Sequence, residues 1–182
     1  MVKSGKNFFT FTPYRLLKVF VIMKGSTQNK VTNLLGEFEC RIDPKGRVMM
    51  PAALKKQIPA AAKKRFVINR GFERCLVLYP MNEWEKESAE VNKLNLYIKA
   101  NREFMRAFRN GATELVLDNT NRLLLPKTLL DYAGIDKDIV LFAFGNRIEV
   151  WAKAAYDKMM SEEPESYAAL AEQVMGKKEE GN

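Results

Sequence analysis

The sequence has no histidine, and its 182 residues include only two cysteines. Histidine is the commonest general base and metal ligand, so its absence removes the usual starting point for catalysis. Cys40 and Cys75 are too few and too far apart for a disulfide framework or a paired-cysteine zinc site. We expect each to lie in a strand as a small apolar residue, in a protein of a reducing compartment. Without a glycine-rich phosphate loop or an activated nucleophile either, the chain is not expected to be an enzyme or to hold a cofactor or metal.

The sequence also lacks a hydrophobic run that could span a membrane. A span needs roughly 20 apolar residues, and the best candidate, at 16–23, is short and interrupted by Lys18. Residues 1–32 carry six basic residues and no acid, which accounts for six of the eight net positive charges. This pattern predicts a basic N-terminal extension, which is either a disordered arm or an upstream stretch produced by a misassigned translation start.

What the sequence does have is an internal repeat. The stretch Asp-Pro-Lys-Gly-Arg-Val-Met-Met-Pro at 43–51 returns as Asp-Asn-Thr-Asn-Arg-Leu-Leu-Leu-Pro at 118–126. The aspartates, the arginines and the final prolines of the two copies are all 75 residues apart. A repeat decides the architecture before any local pattern does, so the chain is interpreted as a tandem duplication.

Each copy of the repeat ends an alternating apolar run, the signature of a half-buried strand. The pattern that follows predicts strand, turn, strand, short helix, strand, turn and strand in each half. Because a four-stranded unit of this size leaves open edges, we expect the two copies to interleave around one barrel-like centre. The predicted divisions after the extension are a first repeat at 33–81, a helical connector at 82–110, a second repeat at 111–160, and a C-terminal helix with a charged tail at 161–182.

The repeated turn allows two interpretations. An aspartate and an arginine four residues apart can form an ion pair across a tight turn, with the aspartate also accepting backbone N–H bonds. An arginine displayed on a turn can instead read phosphates and guanine edges through its bidentate donors. The second interpretation is favoured for Arg47 and Arg122, with Lys45 beside the first of them. The first repeat is the more basic, since 33–75 has ten basic and four acidic residues whereas 115–182 has eight and twelve.

Several short segments, in order along the chain, are characteristic of one known family: Leu35-Gly36-Glu37-Phe38, Asp43-Pro44-Lys45-Gly46-Arg47 with Pro51, Arg70-Gly71-Phe72 with Cys75-Leu76, Leu78-Tyr79-Pro80, Glu83-Trp84, Gly111-Ala112-Thr113-Glu114, Asp118 and Arg122 with Pro126, and Tyr132-Ala133-Gly134. With these segments, residues 34–160 resemble the MraZ family, tandem-repeat proteins related to the AbrB-type swapped-hairpin DNA-binding domains.

The resemblance implies an α+β, mainly β fold, in which two interleaved AbrB-like swapped-hairpin repeats form a double-split β-barrel pseudo-dimer with short connecting and C-terminal helices. It implies a sequence-specific transcriptional regulator that binds double-stranded DNA at direct repeats upstream of the division and cell-wall gene cluster, including its own gene. It also implies a cytoplasmic, nucleoid-associated protein that forms a ring-shaped homo-oligomer and does not associate with a membrane.

The family motif assigns DNA binding to Arg47, Arg122 and Lys45. The residues expected to shape the turns are Asp43, Gly46, Asp118 and Asn121. The second turn departs from the first, with asparagine in place of Gly46 and threonine in place of Lys45. Asparagine tolerates the left-handed conformation better than most residues, so we expect the second turn to form but to contribute less to DNA binding.

Two other functions remain open from the sequence. One is an antitoxin-type autorepressor of the AbrB fold, although such antitoxins usually have one copy of the unit and a disordered toxin-binding tail. The other is an oligomeric scaffold that does not bind DNA, in which the aspartate–arginine pairs are purely structural.

Overall fold

The computed structural model describes residues 32–161 and 167–176. The predicted N-terminal extension and charged tail lie almost wholly outside these residues. The described residues form eight strands: β1 (Leu34–Arg41), β2 (Arg47–Met49), β3 (Arg65–Arg70), β4 (Leu76–Pro80), β5 (Thr113–Val116), β6 (Arg122–Leu124), β7 (Asp138–Gly145) and β8 (Arg147–Ala152). The α-helices are α1 (Ala52–Lys55), α2 (Met81–Asn92), α3 (Lys99–Arg109), α4 (Lys127–Ala133), α5 (Lys153–Ser161) and α6 (Tyr167–Met175), with one 3-10 turn at Ala60–Ala62.

Six of the strands form one antiparallel sheet in the order β1-β7-β8-β4-β3-β5, and β2 and β6 form a separate two-stranded ribbon. The fold is thus mixed helix and strand with a mostly antiparallel sheet, as expected. The expected barrel is wrong as a closed structure, because β1 and β5 are the two edges of the sheet and do not pair with each other. At the β1 edge the side-chain amide of Gln57 bonds both the N–H and the carbonyl of Leu35, at 2.8 and 2.9 Å, and so satisfies the edge-facing backbone groups of that residue.

Most strand pairings join one half of the chain to the other. β1 pairs with β7, β3 with β5, β4 with β8 and β2 with β6, and only the β3–β4 and β7–β8 hairpins stay within a half. Exchanging each strand with its counterpart in the other repeat gives the same strand order read from the opposite edge of the sheet. Neither half therefore completes a sheet alone, and the ribbon is built from the two repeated segments themselves.

The main core lies between one face of the sheet and the ribbon with its following helices. It draws on both halves, with Phe66 and Ile68 from the first and Leu123 and Ile139 from the second, all at 0% exposure. A smaller cluster on the other face includes Cys75, which is buried one residue before β4 rather than in a strand. The Cys75 carbonyl instead accepts the N–H of Gly71 at 2.9 Å and closes the β3–β4 turn.

The connector between the halves folds as two helices held by aromatic contacts. Trp84 of α2 stacks on Phe108 of α3 with ring centroids 4.9 Å apart and nearly parallel planes. The amide of Asn69 in β3 donates to the Phe108 carbonyl at 2.7 Å, which attaches α3 to the sheet. Within the part of the chain that the structure describes, none of the helices has the length and apolar character to traverse a bilayer.

Candidate nucleic-acid interface

The first repeated turn is organised by the carboxylate of Asp43. Its Oδ1 accepts the backbone N–H groups of Lys45 and Arg47, each at 2.9 Å. The backbone carbonyl of Asp43 accepts the N–H of Gly46, also at 2.9 Å. The turn requires a left-handed residue, and Gly46 supplies it with φ of 80°. Aspartate at the start of the turn and glycine near its end are thus explained by backbone geometry alone.

The second turn repeats this geometry with different side chains. Asp118 Oδ1 accepts the N–H groups of Thr120 and Arg122 at 2.8 and 2.9 Å, and Asn121 takes the place of the glycine with φ of 61°. The hydroxyl of Thr120 adds a bond to the same carboxylate oxygen at 2.7 Å. The Nζ of Lys55, in helix α1 of the first repeat, donates to the side-chain carbonyl of Asn121 and thereby connects the two halves.

The two turns are joined by reciprocal backbone bonds. Leu125 donates to the carbonyl of Gly46 and Met50 donates to the carbonyl of Asn121, each at 2.9 Å. These bonds extend the β2–β6 ladder at both ends, so the turns lie at opposite ends of one short ribbon. The structure thereby brings both predicted arginines onto a single element, although they are 75 residues apart in sequence.

Each arginine is fastened to the aspartate of its own turn. In the first turn, Nε and Nη2 of Arg47 both lie 2.7 Å from Asp43 Oδ2. In the second, Nε of Arg122 lies 3.0 Å from Asp118 Oδ2. The two arginine side chains remain 28% and 30% exposed. Because a guanidinium has five N–H donors, the aspartate fixes its direction and leaves the remaining donors on its terminal amino groups for another acceptor.

The same contacts set the electrostatics of the turns. The side-chain hydrogen bond from Arg47, reinforced by the Arg47 backbone N–H, holds the pKa of the Asp43 carboxyl below its ordinary value. For Asp118 the hydroxyl of Thr120 contributes most to a lowered pKa, followed by the backbone N–H of Arg122. Both carboxylates are therefore ionised at neutral pH and engaged within the turn.

The side chain of Lys45 takes no part in the ion pairs of the two turns. It is exposed and forms no ion pair with any residue in the described ranges, whereas its counterpart Thr120 uses its hydroxyl inside the second turn. The first turn therefore presents one more positive charge to solvent than the second.

The outer face of the ribbon carries two residues that sequence reasoning missed. Val48 and Leu123 point into the core, at 3% and 0% exposure, so the residues beside them point outward. Met49 is 53% exposed and Leu124 is 58% exposed, on the same face as the arginines. The signal was the period of two: once Arg47 is taken as outward-facing, the residue two positions later lies on the same face.

The described residues contain no group of three or more cysteine, aspartate or glutamate side chains placed to hold a metal ion. The acidic residues of the two turns are instead paired with arginine, so the arrangement presents cations and apolar side chains on its outer surface. This outer face of the ribbon is suited to contacting an anionic partner whose surface carries hydrogen-bond acceptors.

The sequence was compared with known families and proteins. The profile of the family described as "MraZ protein, putative antitoxin-like" matches twice in tandem, at residues 34–107 and 108–177. A protein named transcriptional regulator MraZ from Flavobacterium psychrophilum is 44% identical over 147 residues, which is 80% of this chain and 94% of that protein. Proteins of the same name from Christiangramia forsetii and Cytophaga hutchinsonii are 44% and 39% identical, over 79% and 77% of this chain and 94% and 93% of their own lengths. The resemblance deduced from the short motifs is confirmed.

Proposed function

The chain belongs to the MraZ family, and we propose on that premise that it is a DNA-binding transcriptional regulator. The single observation that carries the proposal is the ribbon, which displays Arg47 and Arg122 on one outward face. A two-stranded β-ribbon fits the major groove of B-DNA, which is about 12 Å wide, and arginine bonds the O6 and N7 of guanine bidentately. Asp43 and Asp118 orient the guanidiniums and do not themselves touch DNA.

The finer features of the family are part of the same proposal. The repeats are proposed to form an AbrB-like swapped-hairpin pseudo-dimer, with first repeat, connector and second repeat at 33–81, 82–110 and 111–160. The exchange of strands between halves supports this arrangement. The proposed target is a set of direct repeats upstream of the division and cell-wall gene cluster, including the protein's own gene, reached in the cytoplasm at the nucleoid.

Ring-shaped self-association is proposed as the source of affinity. One ribbon contacts few bases and phosphates and should bind weakly. Several subunits meeting equally spaced DNA repeats gain avidity without any new contact, because each later binding event is intramolecular.

Within one subunit the first turn is proposed to contribute more than the second. Lys45 adds an exposed charge that the second turn does not have, and 33–75 is net basic whereas 115–182 is net acidic. Arg47→Ala should therefore reduce DNA affinity more than Arg122→Ala, and equal losses would count against this ranking.

The test is fluorescence anisotropy with labelled duplex from upstream of the gene, a scrambled duplex, and two salt concentrations. We expect tight, sequence-dependent binding by the wild type, with log K falling by about 0.9 per log unit of salt for each neutralised phosphate. Arg47→Ala should lose this binding. Arg65→Ala is the matched control, since it removes an arginine of the sheet that is ion-paired to Glu114 rather than to a turn aspartate.

The outcomes separate the alternatives. Equal binding of both duplexes without a salt slope would support an oligomeric scaffold in which the aspartate–arginine pairs are structural. An antitoxin-type autorepressor would bind DNA and would also require a toxin partner. This alternative is kept because the description of the matched family includes the words "antitoxin-like". If Arg47→Ala folds and binds as the wild type does, the arginine is structural and the site assignment is wrong.

A further inference from the structure

The outer face of the ribbon pairs each arginine with an aliphatic side chain. Arg47 lies opposite Leu124 across the ribbon, and Met49 lies opposite Arg122. The four side chains therefore share one face in a diagonal arrangement, with a cation at each end and an aliphatic group beside each cation.

The register brings the members of each pair close together. The backbone bonds from Leu125 to Gly46 and from Met50 to Asn121 identify the hydrogen-bonded positions of this antiparallel ladder. The alternate positions, which hold the arginine–aliphatic pairs, are non-hydrogen-bonded. At such positions the opposing Cα atoms come within about 4.5 Å and the side chains are closest.

Met49 and Leu124 are not part of the core clusters in the described part of the chain. At 53% and 58% exposed they leave most of their aliphatic surface in water, although the residues on either side of them serve the core or the turns. Both repeats have an aliphatic residue at this position even though they differ at Lys45 and Thr120 nearby. Two guanidiniums suit a partner that is anionic overall. The apolar side chains beside them suit apolar groups on the surface that this partner presents to the ribbon.

We propose that Met49 and Leu124 form an apolar subsite for the 5-methyl groups of thymine, so that the ribbon reads guanine and thymine at neighbouring base pairs. In the major groove thymine alone among the four bases presents a methyl group, and guanine presents the O6 and N7 acceptors that suit arginine. Cross-strand neighbours about 4.5–5.5 Å apart match positions one or two base-pair steps apart in the groove. This inference rests on the proposed DNA-binding function and adds the base that the aliphatic side chains recognise.

The test uses the upstream duplex to which the wild type binds most tightly. In this duplex single thymines are replaced by deoxyuracil, which lacks only the methyl group. Burial of one methyl group contributes about 0.8 kcal/mol, so each contacted methyl should change the affinity about fourfold. Met49→Ala should abolish the dependence on one set of thymines and Leu124→Ala the dependence on another. Both variants should keep the wild-type urea midpoint, because both side chains face outward.

The outcomes distinguish a failure of this inference from a failure of the proposed DNA-binding function on which it rests. If the wild type binds the thymine and uracil duplexes equally, or if both alanine variants keep the methyl dependence, the subsite is wrong while DNA binding stands. If the variants instead alter self-association in analytical ultracentrifugation and leave the methyl dependence intact, the face is covered by a second copy of the chain and the inference is overturned. If the wild type binds no duplex at all, the proposed function itself fails.

Discussion

Replacing Leu123 by alanine should destabilise the protein strongly, whereas the same change at the adjacent Leu124 should hardly affect its stability. Leu123 is 0% exposed and Leu124 is 58% exposed, so the ribbon register alone separates two neighbouring leucines. Leu123→Ala removes three buried carbon atoms at about 0.8 kcal/mol each and leaves a cavity. Because Leu123 belongs to the main core cluster, which draws on both halves, the surroundings relax into the space only in part. We expect a loss of about 3 kcal/mol, within the 2–5 kcal/mol range of buried leucine truncations.

The assay is urea unfolding followed by circular dichroism, with the melting temperature as a second readout. For a chain of this length a loss of about 3 kcal/mol should lower the melting temperature by about 6–12 °C. Leu124→Ala should stay within about 0.5 kcal/mol of the wild type, as surface substitutions usually do. Equal destabilisation by the two variants, or a loss below about 1 kcal/mol for Leu123→Ala, would refute the register and with it the outward face described above.

Three further predictions concern the turns. Gly46→Ala should cost about 1–3 kcal/mol in urea unfolding, because φ of 80° lies in the left-handed region, which alanine adopts only with strain; an unchanged urea midpoint would contradict the requirement for a left-handed residue in this turn. Gly71→Ala should also destabilise, by about 1–3 kcal/mol, since its Cβ would lie 2.4 Å from Cys75 Sγ; an unchanged urea midpoint would contradict the packing of the β3–β4 turn. The lowered pKa values of Asp43 and Asp118 predict stability that is present above about pH 4 and is lost as the pH falls through the native values. Thermal melts at falling pH should therefore decline more steeply for the wild type than for an Asp43→Asn, Asp118→Asn double variant, and parallel curves would argue against the role of these carboxylates.

The sequence predicted the elements of the fold better than their assembly. The alternation before each turn located the strands because it is a local signal, and the offset of 75 residues carried the assignment from one half to the other. Whether the sheet closes depends on which backbone groups remain free at its edges, and that is a tertiary property. The amide of Gln57, which bonds Leu35 at the β1 edge, could not be assigned this contact from its position in the sequence.

The site was also predictable only in its local features. The spacing of Asp43 and Arg47 suggested an ion pair across a turn, and the structure has that pair. The DNA-binding roles of Arg47, Arg122 and Lys45 stay predictions. Met49 escaped notice because a run of apolar residues resembles core, and in a strand of three residues the period of two places Met49 outward only once Arg47 is known to face outward.

The central claim, that the ribbon arginines read bases, is tested most directly by an Arg47→Lys, Arg122→Lys double variant in the anisotropy assay. Lysine keeps the positive charge and can still pair with the turn aspartate, but it lacks the bidentate fork. The account predicts that the variant keeps a salt slope close to that of the wild type and loses most of its preference for the upstream duplex over the scrambled one, since each bidentate contact contributes about 1–3 kcal/mol of discrimination. A variant that retains the full sequence preference would contradict the account.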